Sequence, residues 1–278
     1  MCFSPKLARV TKKETVRNKT IMLLAIDSGN TNVIFAIFDG EELRARWRSS
    51  NDLHRTADEY AVWLTQLMTL EDMALGDIKA VAIANVVPAS QHYLSALCHR
   101  YFKCEPLIVG ADGVDLGIEV FTERPAEVGA DRLVNAVAVH DRYKGPAIVL
   151  DFGTATTFDV VDAKGNYTGG VIAPGINLSL EALYMEAAKL PRIAVERPSK
   201  IIGIGTVGAM QSGIFWGCVS MIEGMVARIT QEFGEPMTVV ATGGLAALFA
   251  DSTGAIQHHD PELTLRGLLK IHQINSPS

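Results

Sequence analysis

Ala25-Ile26-Asp27-Ser28-Gly29-Asn30-Thr31 and Val149-Leu150-Asp151-Phe152-Gly153-Thr154-Ala155 are two versions of one short pattern, with 124 residues separating Asp27 from Asp151. In each, an apolar run ends in Asp-x-Gly and a second strand-like run follows at once, Asn32–Phe38 and Thr157–Val161. Asp39-Gly40 and Lys164-Gly165-Asn166 then supply hairpin turns. The chain therefore contains an internal repeat. A βαβ dinucleotide fold enters a helix straight after its glycine turn. Here the turn joins two strands, so any phosphate it binds is held by a hairpin. No Walker-type G-x-x-x-x-G-K-S/T occurs anywhere.

Outward from the first turn, Ile21–Ile26, Asn32–Phe38 and Leu43–Ser49 read as an antiparallel meander. Thr56–Leu70 has helical spacing, with Thr56 and Asp58-Glu59 at its start. Strands are expected at Ala80–Ala84 and Pro106–Val109, and helices at Ser90–Phe102 and Glu127–His140. The pattern then restarts with strands at Ala147–Leu150, Thr157–Val161 and Tyr167–Ile172. Helices follow at Asn177–Ala188 and at the Gly-rich Val207–Phe233. A strand at Thr238–Ala241 runs into Thr242-Gly243-Gly244, then helices at Leu245–Phe249 and Pro261–Ile271. The expected organisation is a basic, disordered extension over 1–21 and two α/β domains, 22–143 and 144–278. Each domain would be a mixed β-sheet flanked by helices, the C-terminal helix packing back on the first.

The 278 residues are 48% hydrophobic and 20% charged, enough apolar material for a core and against disorder as the main theme. The net charge is −6 overall. Six Lys/Arg in Met1–Thr20 face Glu14 alone, so Ile21–Ser278 carries −11. No global cationic field is available for nucleic acid or an anionic membrane. The basic head has no signal-peptide core, and no stretch reaches the ~18 apolar residues of a membrane span. Cys2, Cys98, Cys104 and Cys218 form no C-x-x-C pair, and His140, His258 and His259 have no metal-ligand spacing. Free thiols in a reducing cytoplasm are the expectation.

The repeated turns suit phosphate chemistry. Gly29 and Gly153 permit close backbone approach, and Asn30, Thr31 and Thr154 add short donors. A carboxylate at Asp27 or Asp151 makes sense beside phosphate mainly if a cation lies between them. Two such cradles facing each other would clasp a triphosphate from both sides. A second constellation, Glu127-Val128-Gly129-Ala130-Asp131-Arg132, opens an expected helix. Asp131 can accept a hydroxyl proton there and Arg132 can hold a carboxylate or phosphate. Alternatively, Asp131 only complements the helix dipole and Arg132 pairs with Glu127.

Taken together, the two D-x-G turns and the later T-G-G resemble the actin-like ATPase superfamily. D-S-G-N-T-N (Asp27–Asn32), E-V-G-A-D-R (Glu127–Arg132), D-F-G-T-A-T-T (Asp151–Thr157) and G-G-V-I-A-P-G (Gly169–Gly175) occur in that order. G-T-V-G-A-M-Q-S-G (Gly205–Gly213) and A-T-G-G (Ala241–Gly244) follow. From Met22 to about Ile274 the chain closely resembles type III pantothenate kinases, to which G-A-D-R between the two turns is specific.

The resemblance implies duplicated actin-like (ribonuclease H-like) domains and transfer of the ATP γ-phosphoryl group to the terminal hydroxyl of pantothenate, the first step of coenzyme A synthesis. It implies that Asp27, Ser28, Gly29, Asn30, Thr31, Asn32, Val33 and Ile34 form the first ATP-phosphate loop and that Thr154 contacts ATP. Asp131 would be the general base within the pantothenate-binding stretch Gly129, Ala130, Asp131 and Arg132, with Thr206 as a further pantothenate contact. Asp151 would ligate a monovalent cation, K⁺ or NH₄⁺, with Mg²⁺ accompanying ATP. A homodimer with its active site near the interface is implied too. Thr122 stands where many members of the family carry an aromatic, and Arg124 replaces the usual Asn before proline. A non-catalytic accessory relative, or an actin-like kinase for a sugar or small acid, are the competing readings. The three aspartates argue against the former and G-A-D-R against the latter.

Overall fold

The computed structural model describes residues 22–187 and 190–276. The extension expected over 1–21 lies outside the described residues. Two five-stranded sheets are built with one topology. In the first, β1 (Met22–Ser28), β2 (Asn32–Asp39) and β3 (Glu42–Ser50) form the antiparallel meander. Helix α1 (Ala57–Leu70) then leads to β4 (Ile78–Asn85), and α2 (Pro88–Leu97) to β5 (Leu107–Ile108). Both β4 and β5 join in parallel, giving the order β3-β2-β1-β4-β5. Helix α3 (Ala130–Tyr143) closes this half.

The second half repeats the scheme. Strands β6 (Ala147–Phe152), β7 (Ala155–Val161) and β8 (Tyr167–Pro174) make the meander. After α4 (Ile176–Glu186) and α5 (Thr206–Phe233) comes β9 (Thr238–Gly243). Helix α6 (Ala246–Ala250) leads to β10 (His258–His259), and α7 (Leu263–Asn275) ends the fold. The order β8-β7-β6-β9-β10 duplicates the first sheet strand for strand.

Strand alternation explains the layering. Leu23 and Ala25 of β1 face a central core between the sheets, while Leu24 and Ile26 face an outer core under α1 and α2. In β6, Ala147 and Val149 face the centre, and Ile148, Leu150 and Phe152 face a third core with Phe215 and Ile222 of α5. Both faces are buried, so these strands read as continuous apolar runs rather than alternating ones. The central layer is α3 and α7, packed on each other. A Cβ on Gly267 would lie 2.2 Å from the Val134 carbonyl oxygen, so the two backbones meet where α7 has no side chain. Helix α7 packs on β1 and β4, and α3 reaches from β4 to β6 and β7.

Thr56 caps α1 with Glu59 in a reciprocal capping box. Some expected boundaries shift. The helix expected over Ser90–Phe102 is α2 followed by a wider π turn, Cys98–Phe102, which stops at Lys103 with φ +56°. Helix α3 starts at Ala130 rather than Glu127, because Pro125–Glu127 close a separate 3₁₀ turn and Gly129 caps the helix. The His258-His259 pair is exposed as expected but forms β10, too short for any periodicity to reveal. Cys98, Cys104 and Cys218 are free, and burial pushes the Cys98 thiol up to about 12. Among the described residues no helix is long and apolar enough to cross a membrane.

Candidate active site

The duplication brings its two turns together. Thr31 Oγ1, after β1, lies 3.0 Å from Thr154 Oγ1, after β6. Each turn closes in the same way, Gly29 N–H donating to Asn32 O at 3.0 Å and Gly153 N–H to Ala155 O at 3.0 Å. Asn30, Thr31 and Thr154 are exposed, and among the described residues their N–H groups have no protein acceptor. Those are the donors a phosphate cradle requires.

Side-chain parity decides which residues can enter the cleft. Asp27 follows Ala25 on the inter-sheet face, and Asp151 follows Val149. The opposite parity turns Ser28 outward, where it is 1% exposed and its hydroxyl meets Ser90 Oγ at 3.2 Å. Val33 is buried in the outer core and Ile34 packs on the central one. Ser28, Val33 and Ile34 thus offer a ligand backbone rather than side chain. Asn32 is half-buried at the start of β2.

Asp131 sits in the first turn of α3, where Gly129 and Ala130 lead the chain into the cleft. Its Oδ1 accepts the Arg132 N–H at 2.8 Å. Asp131 lies close enough to raise the proton affinity of both Asp27 and Asp151. Burial first, then the charges of Asp131 and Asp151, push Asp27 from the ordinary 3.8 up to about 7. Burial, then Asp131 and Asp159, push Asp151 up to about 7 as well. Burial raises Asp131 against the pull of Arg132. Among the described residues no cationic side chain pairs with Asp27 or Asp151, so this cluster of negative charge is suited to a bound cation. No three His, Cys, Asp or Glu among the described residues could hold a metal by themselves.

Thr242-Gly243-Gly244 ends β9 beside this cluster, with Thr242 paired to Asp151 across the sheet. Gly243 has φ +91°, and a Cβ there would be 2.4 Å from Asp151 Oδ1. Only glycine lets the strand turn so close to the carboxylate.

Thr206 is exposed at the start of α5, and among the described residues its hydroxyl has no hydrogen-bond partner. Thr122 is half-buried with an Oγ1 that finds no partner, beside the exposed Phe121. The pairing of Arg132 with Glu127 does not occur: Glu127 bonds Arg124 at 2.9 Å, whereas Arg132 turns inward to Asp159.

Sequence reasoning missed three residues around the cluster. Asn51 donates its N–H to Thr31 O at 2.9 Å and its side-chain amide to Gly29 O at 2.6 Å, bracing the first turn. Asn135, 1% exposed on α3, donates to Asp151 Oδ2 at 3.2 Å and accepts from Thr264 of α7 at 2.8 Å. Asp159 is fully buried in β7. A lone carboxylate in an apolar strand was the available signal, because a buried charge needs a partner. The Thr264→Val substitution leaves Asn135 Oδ1 without its donor and should cost about 1–3 kcal/mol, read from urea unfolding midpoints.

The type III pantothenate kinase family model matches residues 23–228. The chain belongs to the type III pantothenate kinase family. It is 66% identical over 255 residues to the type III pantothenate kinase of Paramagnetospirillum magneticum, covering 92% of this chain and 98% of that one. The type III pantothenate kinase of Rhodospirillum rubrum is 63% identical, covering 92% and 100%. Among solved structures, a conserved Baf family protein from Campylobacter jejuni has a TM-score of 0.57 at 18% identity, covering 91% of this chain and 98% of that chain. The ethanolamine utilization protein EutJ from Carboxydothermus hydrogenoformans has a TM-score of 0.51 at 14% identity, covering 89% of each. The family's chain thus carries the duplicated actin-like fold, with both D-x-G turns at one cleft.

Proposed function

We propose that this chain transfers the γ-phosphoryl group of ATP to the terminal hydroxyl of pantothenate, giving 4′-phosphopantothenate and ADP. The observation that carries the reading is the meeting of the two Asp-x-Gly turns at 3.0 Å, with Asp131 near the carboxylates that open them. The turn N–H groups and the hydroxyls of Thr31 and Thr154 hold the triphosphate. Asp27 and Asp151 hold cations, Mg²⁺ with ATP and K⁺ or NH₄⁺ at Asp151, which supply positive charge that the cluster lacks. Asp131 orients the acceptor hydroxyl and takes its proton. The hydroxyl oxygen forms the new bond to the γ-phosphorus as the bond to the bridging oxygen of ADP breaks. Burial strengthens Asp131 as a base. A loose phosphoryl transfer asks mainly for this positioning and charge neutralisation. Arg132 holds the pantothenate carboxylate, and Thr206 contributes from the start of α5.

The working unit in this reading is a cytoplasmic homodimer. Ile172, Leu178, Met185, Ile201, Ile202, Ile204 and Val207 are exposed in one stretch of chain, Ile204 at 96% and Ile202 at 83%. So much open apolar surface near Thr206 favours a second copy as its cover. Light scattering should give twice the 30.0 kDa chain mass. Ile202→Asp with Ile204→Asp should return the monomer and abolish pantothenate turnover.

The deciding assay is ADP production from ATP-Mg²⁺ and pantothenate, in potassium against sodium buffer. Turnover that needs both pantothenate and potassium supports the reading. A folded protein that binds ATP without pantothenate-dependent turnover would overturn it in favour of an accessory role.

A further inference from the structure

Arg132 is held by a side chain that no step above uses. Its Nε donates to Asp159 Oδ1 at 2.6 Å, and Nη2 lies 2.6 Å from the same oxygen. Tyr167 OH donates to Oδ1 at 3.0 Å and Thr157 Oγ1 to Oδ2 at 3.1 Å. Asp159 is 0% exposed, and these groups are its side-chain hydrogen-bond partners among the described residues. The guanidinium is confined on two further sides. Its carbon lies 5.6 Å from the centre of the Tyr167 ring, and a Cβ on Gly170 would be 2.9 Å from Nη2. Gly170, the second glycine of G-G-V-I-A-P-G, thereby leaves the room that the guanidinium occupies.

One edge of the fork is thus taken and the other is not. The Arg132 side chain is 16% exposed. Its Nη2 is buried without a hydrogen bond of acceptable geometry, and Nη1 has no acceptor among the described residues. A guanidinium fixed at its Nε–Nη2 edge, with the Nη1 N–H groups unpaired, can offer charge and hydrogen bonds to a carboxylate.

We infer that Asp159 is a positioning residue, which aims Arg132 at the carboxylate of the acceptor and so sets the preference for an anionic acceptor over a neutral one. The inference rests on the pantothenate reading above. It goes further in assigning the selectivity to a buried aspartate on β7 that has no route to the substrate itself.

The test compares pantothenate with its carboxamide, in which a neutral amide replaces the carboxylate. The readout is the ratio of kcat/KM for the two acceptors in the wild type, Asp159→Asn, Arg132→Ala and the double variant. Asp159→Asn should lower the ratio about tenfold or more. The loss should fall on the pantothenate KM, with the carboxamide little changed. The double variant should lower the ratio no further than Arg132→Ala alone, because both act through one contact. Equal losses on both acceptors would show a structural role and overturn the inference, as would a wild-type ratio near one. If Asp159→Asn does not give a cooperative thermal transition, Tyr167→Phe removes one donor to Oδ1 and keeps the ring. It should shift the ratio in the same direction, and an unchanged ratio overturns the inference. Absence of wild-type turnover would count against the kinase reading. Calorimetric affinities for the two acceptors then apply the same comparison, and equal affinities would overturn the inference.

Discussion

Asp131→Asn should lower kcat by about 10²–10⁴-fold, the range general-base catalysis supplies. Carboxamide and carboxylate have nearly the same shape, and the α3 start is set by Gly129 and by the backbone rather than by the Asp131 charge. The substitution should therefore keep the fold, the dimer and ATP affinity. The pantothenate KM should move little, since Arg132 and Asp159 are untouched. What is lost is the proton acceptor beside the attacking oxygen. ADP release in potassium buffer reads kcat, and calorimetric titration with ATP reads binding. A variant retaining more than a tenth of wild-type kcat would remove Asp131 from the base role and leave it the simpler task of complementing the α3 dipole.

Asp27→Asn should raise stability while it abolishes activity, and the gain should depend on pH. The folded-state pKa of Asp27 lies near 7 and its ordinary value at 3.8, so the folded protein binds the extra proton between those limits. Stability therefore falls as pH rises from about 4 to about 7, because ionisation is easier in the unfolded chain. Removing the charge removes that cost, on the order of 2–4 kcal/mol above pH 7. The ligand-free variant should melt about 5–10 °C above wild type at pH 8. The difference should shrink toward pH 4, where the wild-type carboxyl is protonated in the fold and about half protonated in the unfolded chain. ATP with Mg²⁺ should narrow it too, since a cation between carboxylate and phosphate relieves the repulsion in the wild type. A Tm difference independent of pH would mean that Asp27 is not held against its ionisation. Turnover should fall by at least about a hundredfold, because charge stabilisation of the phosphates is lost.

The same cluster thus opposes two demands. Ligand-free, the three carboxylates cost stability through burial, and Asp27 and Asp151 through repulsion as well. In the proposed function, that unfavourable interaction is what a cation bound with the triphosphate relieves. Such a conflict between local stability and function is common at sites that bind charge.

Much of this was legible before any folding. The Asp-x-Gly turns announced a repeat because each must reverse the chain between two strands, and that demand writes itself into adjacent residues. Asp27, Asp131, Asp151 and Thr154 stood out for the same reason, since each belongs to a contiguous motif. The doubled topology followed from the order of apolar runs and turns. Contacts between residues far apart in the chain left no such trace. Nothing near Thr31 shows that its hydroxyl meets Thr154, or near Asn135 that it joins Thr264 to Asp151. The alternative pairing of Arg132 with Glu127 fails for this reason: Glu127 is close in sequence, but the 3₁₀ turn before Gly129 sends it to Arg124, and β7 delivers Asp159 instead. Strand parity, a two-residue period that only the packed sheet gives an inside and an outside, turned Ser28 into the core and Asp27 into the cleft. The residues able to do chemistry were thus set by local sequence. Which of them face one another was decided by two sheets closing on α3 and α7.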